Sequence, residues 1–136
     1  MDLLILGPAG IIVLEIKTYT GHCEGHGDSW FSTGSDGTRR PLRGSPSRQV
    51  KRAAKSVAHY LVDCELSVPL HPACVFRPGV TLALTRPTVP VLLEEALLAH
   101  ILALPPAPQP IPASELEPLF APTLPTHRRS LPQLSH

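Results

Sequence analysis

Two apolar runs open the chain, residues 3–6 and 11–16, on either side of Gly7-Pro8-Ala9-Gly10. Strand-forming runs around a cluster of turn residues predict a β-hairpin. Neither run alternates with polar positions, so both strands are expected to be covered on both faces, which calls for helices packed on a sheet. Further on, Ser45 can cap a helix whose first position is Pro46. Val50, Ala53, Ala54, Val57, Ala58, Leu61 and Cys64 follow at a spacing of three and four, which predicts an amphipathic helix over about 46–64. Residues 73–76 and 80–84 read as two strands divided by Arg77-Pro78-Gly79, and 91–104 as a second helix ended by Pro105-Pro106. The segment 21–45 is rich in Gly, Ser and Asp, with Trp30-Phe31 as its apolar anchor; short strands are expected around Cys23 and over 29–32. The fold class expected is α/β: a central mixed sheet flanked by the two helices.

The proline content concentrates in the last third. PPAPQPIP over 105–112 predicts an extended polyproline linker, Ser114 a cap for a short helix near 115–120, and the remainder to His136 a frayed tail. The expected organisation is therefore a core over 1–104 and an appended 105–136. A length of 136 residues suits one domain, and a formal net charge of +1 names no partner by itself. Three cysteines make no disulfide framework, which points to a reducing, cytoplasmic setting. The apolar start carries Asp2 at its head and lacks a basic region, unlike a secretory signal, and Glu94-Glu95 break the 91–104 run as a membrane span. His22, Cys23 and His26 come close together, but no second ligand pair stands at finger spacing, so polar loop residues are the better reading than zinc ligands. His100, inside an apolar helix, reads as a boundary residue rather than a ligand.

Candidate chemistry lies at the open end of the hairpin. If all four turn residues form the loop, Leu6 stands opposite Ile11, Leu4 opposite Val13 and Asp2 opposite Glu15, and Lys17 joins the two carboxylates on one face. Carboxylates about 5 Å apart across a ladder repel unless a cation lies between them. Mg2+ (or another hard divalent ion such as Mn2+) takes such oxygen ligands, and a neighbouring lysine can orient a water or neutralise a phosphate, which suits phosphodiester hydrolysis. A three-residue loop, Pro8-Ala9-Gly10, would slip the register by one and send Asp2 to the other face. With both strands apolar on both sides, hydrophobic pattern does not choose. The plain alternative for Glu15 and Lys17 is a solvated pair protecting a sheet edge.

Charge is uneven in the middle of the chain. Arg39, Arg40, Arg43, Arg48, Lys51, Arg52 and Lys55 occupy a stretch with no acidic residue between Asp36 and Asp63, and Arg48, Arg52 and Lys55 share one helix flank. Such a patch fits either a phosphate backbone or an ordinary solvated face. Gln49, one turn into the helix, can reach a carboxylate, a water or a phosphate, or remain solvated.

Taken in order, these residues resemble the NERD (nuclease-related) domain, a branch of the PD-(D/E)XK phosphodiesterase superfamily. The likeness runs from Asp2 and its apolar strand through Gly7-Pro8-Ala9-Gly10, Glu15-Ile16-Lys17, Tyr19, Gly21 and Trp30 to Pro46-Ser47-Arg48-Gln49 and the strand ending at Phe76. It covers roughly 2–104, and the segment 111–124 is similar to the family's closing helix. The resemblance implies a restriction-endonuclease-like mixed sheet and Mg2+-dependent cleavage of DNA. It further implies Asp2 and Glu15 as metal ligands, Lys17 as the residue that positions water and Gln49 as a helper from the helix. It also favours the four-residue loop. Arg40, Arg43, Arg48, Lys51 and Arg52 would then hold the DNA backbone. Family members carry a helix and a strand before the aspartate, so an N-terminally truncated version of the fold is expected, with Ser45 replacing the usual asparagine. The alternative is a catalytically inactive nucleic-acid-binding or interaction remnant of that fold.

Overall fold

The hairpin forms with the register that places Asp2 opposite Glu15. In the computed structural model, which describes residues 2–120, strands β1 (Asp2–Gly7) and β2 (Gly10–Lys17) pair antiparallel from Asp2↔Glu15 through Leu6↔Ile11 to Gly7↔Gly10. Only Pro8 and Ala9 remain unpaired, so the turn is tighter than the four-residue loop while the register is unchanged. Gly10 makes this possible: its φ is +126°, and its α-carbon faces the backbone of Pro69, with Ile11 N–H donating to the Pro69 carbonyl at 2.9 Å.

Six further strands follow: β3 (Gly21–His26), β4 (Ser29–Thr33), β5 (Arg39–Pro41), β6 (Leu70–Phe76), β7 (Val80–Thr85) and β8 (Val91–Leu93). They divide with the hairpin into two mixed four-stranded sheets, ordered β1-β2-β6-β8 and β5-β4-β3-β7. The expected single central sheet is thus split, and the split has a simple cause. β2 runs parallel to β6, and their continuations β3 and β7 are again parallel, so one ladder is interrupted at Thr18–Thr20 and Arg77–Gly79. Arg77 N–H to the Lys17 carbonyl (2.9 Å) and Gly21 N–H to the Gly79 carbonyl (3.2 Å) close the joint on its two sides, and Gly21 and Gly79 both take positive φ there.

Helix α1 (Pro46–Asp63) starts as its sequence predicts, with the Ser45 hydroxyl accepting from Arg48 N–H. It packs on the β2 face that carries Ile11 and Val13, together with Cys74, Phe76, Trp30 and α1 residues Val50, Val57 and Leu61. The opposite face, Ile12, Leu14, Ala73 and Val75, lies under Leu97, Ile101 and Leu104. Burial of each such side chain contributes about 1.5–3 kcal/mol. The unalternating apolar runs are explained by this double coverage. Leu4 and Leu6 belong to the α1 side and Ile5 to the other, so Asp2, Glu15 and Lys17 point toward the α1 side.

The helix expected over 91–104 is shorter. Val91–Leu93 form β8 instead, parallel to β6, then residues 94–96 make a 3-10 turn and α2 spans Leu97–Ala103. Cys74 N–H donates to the Pro90 carbonyl at 2.9 Å, and this bond draws the apolar segment into the sheet edge against its helical pattern. The same bond makes the even residues of β6 face β8, which leaves Pro72, without an N–H, two positions before β8 begins. β5 was not expected from the sequence; it pairs through Arg39–Pro41 with β4. Helix α3 (Ala113–Phe120) agrees with the short helix expected near 115–120, and its Leu116 and Leu119 enter the main core. The expected frayed tail falls on residues 121–136, outside the described residues. Among the described residues no helix is long and apolar enough to cross a membrane.

Candidate metal and nucleic-acid site

Glu15 is buried near the end of β2, only 3% exposed, with the Lys17 ammonium 3.4 Å from its Oε2. The pair is not a solvated edge: the side chains are 4% and 18% exposed. Across the ladder, Asp2 is partly buried and hydrogen-bonded to Glu15, which two carboxylates achieve by sharing a proton. Burial, reinforced by that bond and the Glu15 charge, pushes Asp2 up to about 7. Burial acts upward on Glu15 as well, but the hydrogen bond from Asp2 and the Lys17 charge outweigh it and hold Glu15 below its ordinary value. Below about pH 7 Glu15 is therefore the anion and Asp2 the proton carrier. Asp2 Oδ1 is buried without a hydrogen-bond partner among the described residues. Cys74 sits beside Glu15 in the parallel ladder, but burial pushes its thiol up to about 12, so it is inert as a nucleophile.

An orphaned buried carboxylate oxygen and an all-oxygen donor pair fit a hard divalent cation, which keeps several waters and takes few protein ligands. Among the described residues no group of three His, Cys, Asp or Glu is arranged to hold a metal ion, so Asp2 and Glu15 are the acidic side chains that the hairpin offers there. His22, Cys23 and His26 form no alternative centre. They lie on one strand, β3, with Cys23 in the core and the two histidines on its other face, bonded to Thr81 and Glu24.

Gln49 lies in the first turns of α1. Its Oε1 is buried and has no hydrogen-bond partner among the described residues, and its amide nitrogen lies so close to Gly44 that a Cβ there would approach it to 2.6 Å. The expected basic residues are sorted by their partners. Arg40 on β5 pairs with Asp36 at 3.6 Å, and Lys51 is taken up by Asp28 at 2.8 Å. Arg48 is 3.9 Å from Asp28 and 65% exposed, while Arg43 and Arg52 are exposed with no ion pair among the described residues.

Sequence reasoning missed Asp28. This carboxylate, at the β3–β4 turn, accepts from Ser47 Oγ (2.7 Å), Thr88 Oγ1 (2.6 Å) and Lys51 Nζ (2.8 Å). The Trp30 indole N–H donates in turn to Ser47 Oγ at 3.1 Å. The cluster ties sheet β5-β4-β3-β7, the β7–β8 loop and the start of α1 to one point, fixing where Gln49 and Arg48 stand. Nothing local announces it, because its partners are 19, 23 and 60 residues away. The Lys51 and hydroxyl bonds hold the Asp28 carboxyl far below the ordinary range. Asp28→Ala is expected to cost about 2–3 kcal/mol in urea unfolding at pH 7. A depressed carboxylate contributes its stability above the unfolded value near 4 and loses it as pH falls further. The wild-type advantage over the variant should therefore shrink below pH 4.

The profile of the nuclease-related domain, NERD, matches residues 1–77. The probable kinase PglW of Streptomyces coelicolor is 34% identical over 63 residues, 46% of this chain but 4% of that protein, so the chain spans a small part of the relative it matches. No solved structure matches. With more than half of its length matched, and the Asp2–Glu15–Lys17 cluster and the start of α1 inside the matched segment, the chain belongs to the nuclease-related domain family.

Proposed function

We propose that the chain hydrolyses phosphodiester bonds in DNA with the help of Mg2+ or a similar divalent ion. The observation that carries this reading is buried Glu15 opposite half-buried Asp2, whose Oδ1 has no hydrogen-bond partner among the described residues, with the Lys17 ammonium 3.4 Å from Glu15. Asp2 and Glu15 would hold the ion, which supplies positive charge toward the oxyanion that develops at phosphorus. To hold an ion Asp2 would have to be ionised, its shared proton passing to solvent. Lys17, no longer the main counter-charge of Glu15, donates a hydrogen bond to the attacking water or to a phosphate oxygen. The unpartnered Oε1 of Gln49 is suited to accept from that water, and Arg43, Arg48 and Arg52 hold the backbone without reading bases. The three cysteines are free thiols, in keeping with a cytoplasmic setting.

Plasmid nicking tests the reading. Wild type with Mg2+ is expected to relax supercoiled DNA, EDTA to stop it, and Lys17→Ala to slow it at least about a hundredfold with DNA binding retained. The second reading, a nucleic-acid-binding domain that does not cut, is favoured by the donor count of two carboxylates among the described residues. Tight binding by wild type with no nicking in either Mg2+ or Mn2+ would establish it and end the first.

A further inference from the structure

We propose that the pocket between β4, the loop after β5 and the start of α1 seats a single phosphate group of a nucleic-acid strand, gripped by Arg43 and Arg48. This rests on the reading that nucleic acid is the partner, but not on the chain cutting it. The pocket measures about 230 Å³, and Arg43, Gly44, Ser45, Arg48, Asp28 and Phe31 contribute to its wall. That volume is several times the roughly 30 Å³ share of one water, room for a phosphate with part of its sugar.

Pairing separates this place from Arg39, Arg40 and Lys51, and the shared wall separates it from Arg52 and Lys55, which do not line the pocket. Arg39 is bonded to Glu24 at 3.3 Å and lies over the Phe31 ring, Arg40 meets Asp36, and Lys51 meets Asp28. Those cations are already answered by carboxylates. Arg43 has no ion pair among the described residues, and Arg48 reaches Asp28 only at 3.9 Å from a largely exposed position. They come from different elements, the loop and the helix, and both border the same concavity.

The one carboxylate in the wall does not oppose an anion there. Asp28 is bound by Lys51, Ser47 and Thr88 at 2.6–2.8 Å, so its charge is largely compensated before Arg48 reaches it at 3.9 Å. Guanidinium forks match phosphate oxygens two at a time, which a solvated lysine flank does not. The start of an 18-residue helix at the same wall adds favourable field. Gly44 connects the pocket to the proposed helper, because it borders the pocket and lies against the Gln49 amide. A phosphate seated here would register the strand on α1.

The test is fluorescence anisotropy of a short labelled duplex in EDTA, over a series of KCl concentrations, so that no cutting is needed. Arg43→Gln and Arg48→Gln should each weaken binding about tenfold. Each should also lower the slope of log K against log salt by about 0.9, the signature of one lost phosphate contact. Lys55→Gln, exposed on the same helix flank but outside the pocket, should change affinity less than about twofold. Equal losses in all three variants would mean a diffuse basic face and overturn the pocket, as would unchanged binding in Arg43→Gln and Arg48→Gln, or no binding by wild type. Duplexes with and without 5′-phosphates distinguish the source. A gain with 5′-phosphate that both arginine variants abolish marks a terminal monoester, and equal affinity marks an internal diester; either upholds the site. Binding with these losses but no nicking would retain the pocket and remove only the catalytic reading.

Discussion

Glu15→Gln is expected to lower Mg2+-dependent nicking by about a thousandfold while leaving the fold intact. The amide keeps the shape and the hydrogen bond to Asp2 in a buried place, so no cavity opens. What disappears is the Glu15 anion, the charge against which Lys17 is held and on which the proposed metal binding depends. Losses of that size accompany removal of a group that meets charge developing at the reacting centre. Melting curves in EDTA give an independent readout of the same pair. Asp2 is raised to about 7, and a raised carboxyl contributes stability that is present below its unfolded value near 4 and is lost as pH rises through its folded value. Glu15, lowered, contributes in the opposite sense but only below its own unfolded value of 4.5. Between about pH 4.5 and 7 the metal-free wild type should therefore lose melting temperature as pH rises, and Mg2+ should restore it above pH 7 by binding the ionised pair. In Glu15→Gln the decline should be shallower, because burial still raises Asp2 but the neighbouring carboxylate no longer does. A flat wild-type profile over that range would refute the shared proton.

Gly10→Ala is expected to cost about 4 kcal/mol, measured as a lowered urea midpoint, or to prevent folding at 37 °C. Two effects add. A φ of +126° is strained for any residue with a Cβ, and that Cβ would stand 2.2 Å from the Pro69 carbonyl oxygen, which is backbone and already accepts from Ile11. Relief would require moving β6 away from β2, along the ladder that carries Glu15. Gly7→Ala is the control: it has no positive φ, and nothing lies within 4 Å of an added Cβ. Its cost should stay below about 1 kcal/mol. Similar losses at both positions would show that the hairpin turn, rather than the Gly10–Pro69 approach, governs stability.

Where the chain's own chemistry is local, it was legible. Ser45-Pro46 and the three-four spacing after it determine α1, since a cap and an apolar stripe act within one turn of themselves. The two unbroken apolar runs determine strands buried on both faces, and Asp2, Glu15 and Lys17 carry the charges of the candidate site wherever the register leaves them. Tertiary structure decided the rest. The approach of Pro69 to Gly10 accompanies the register that brings Asp2 to Glu15, a choice the apolar pattern left open. A hydrogen bond from Cys74 to Pro90 took Val91–Leu93 out of a helical pattern and into a sheet edge. Asp28 gained its partners only when segments far apart in the chain met, and the same closure brought Arg43 and Arg48 to one pocket. Propensity and periodicity act over a few residues, whereas register, pairing and the choice of counter-ion depend on contacts between distant segments, which exist only once the chain has closed on itself.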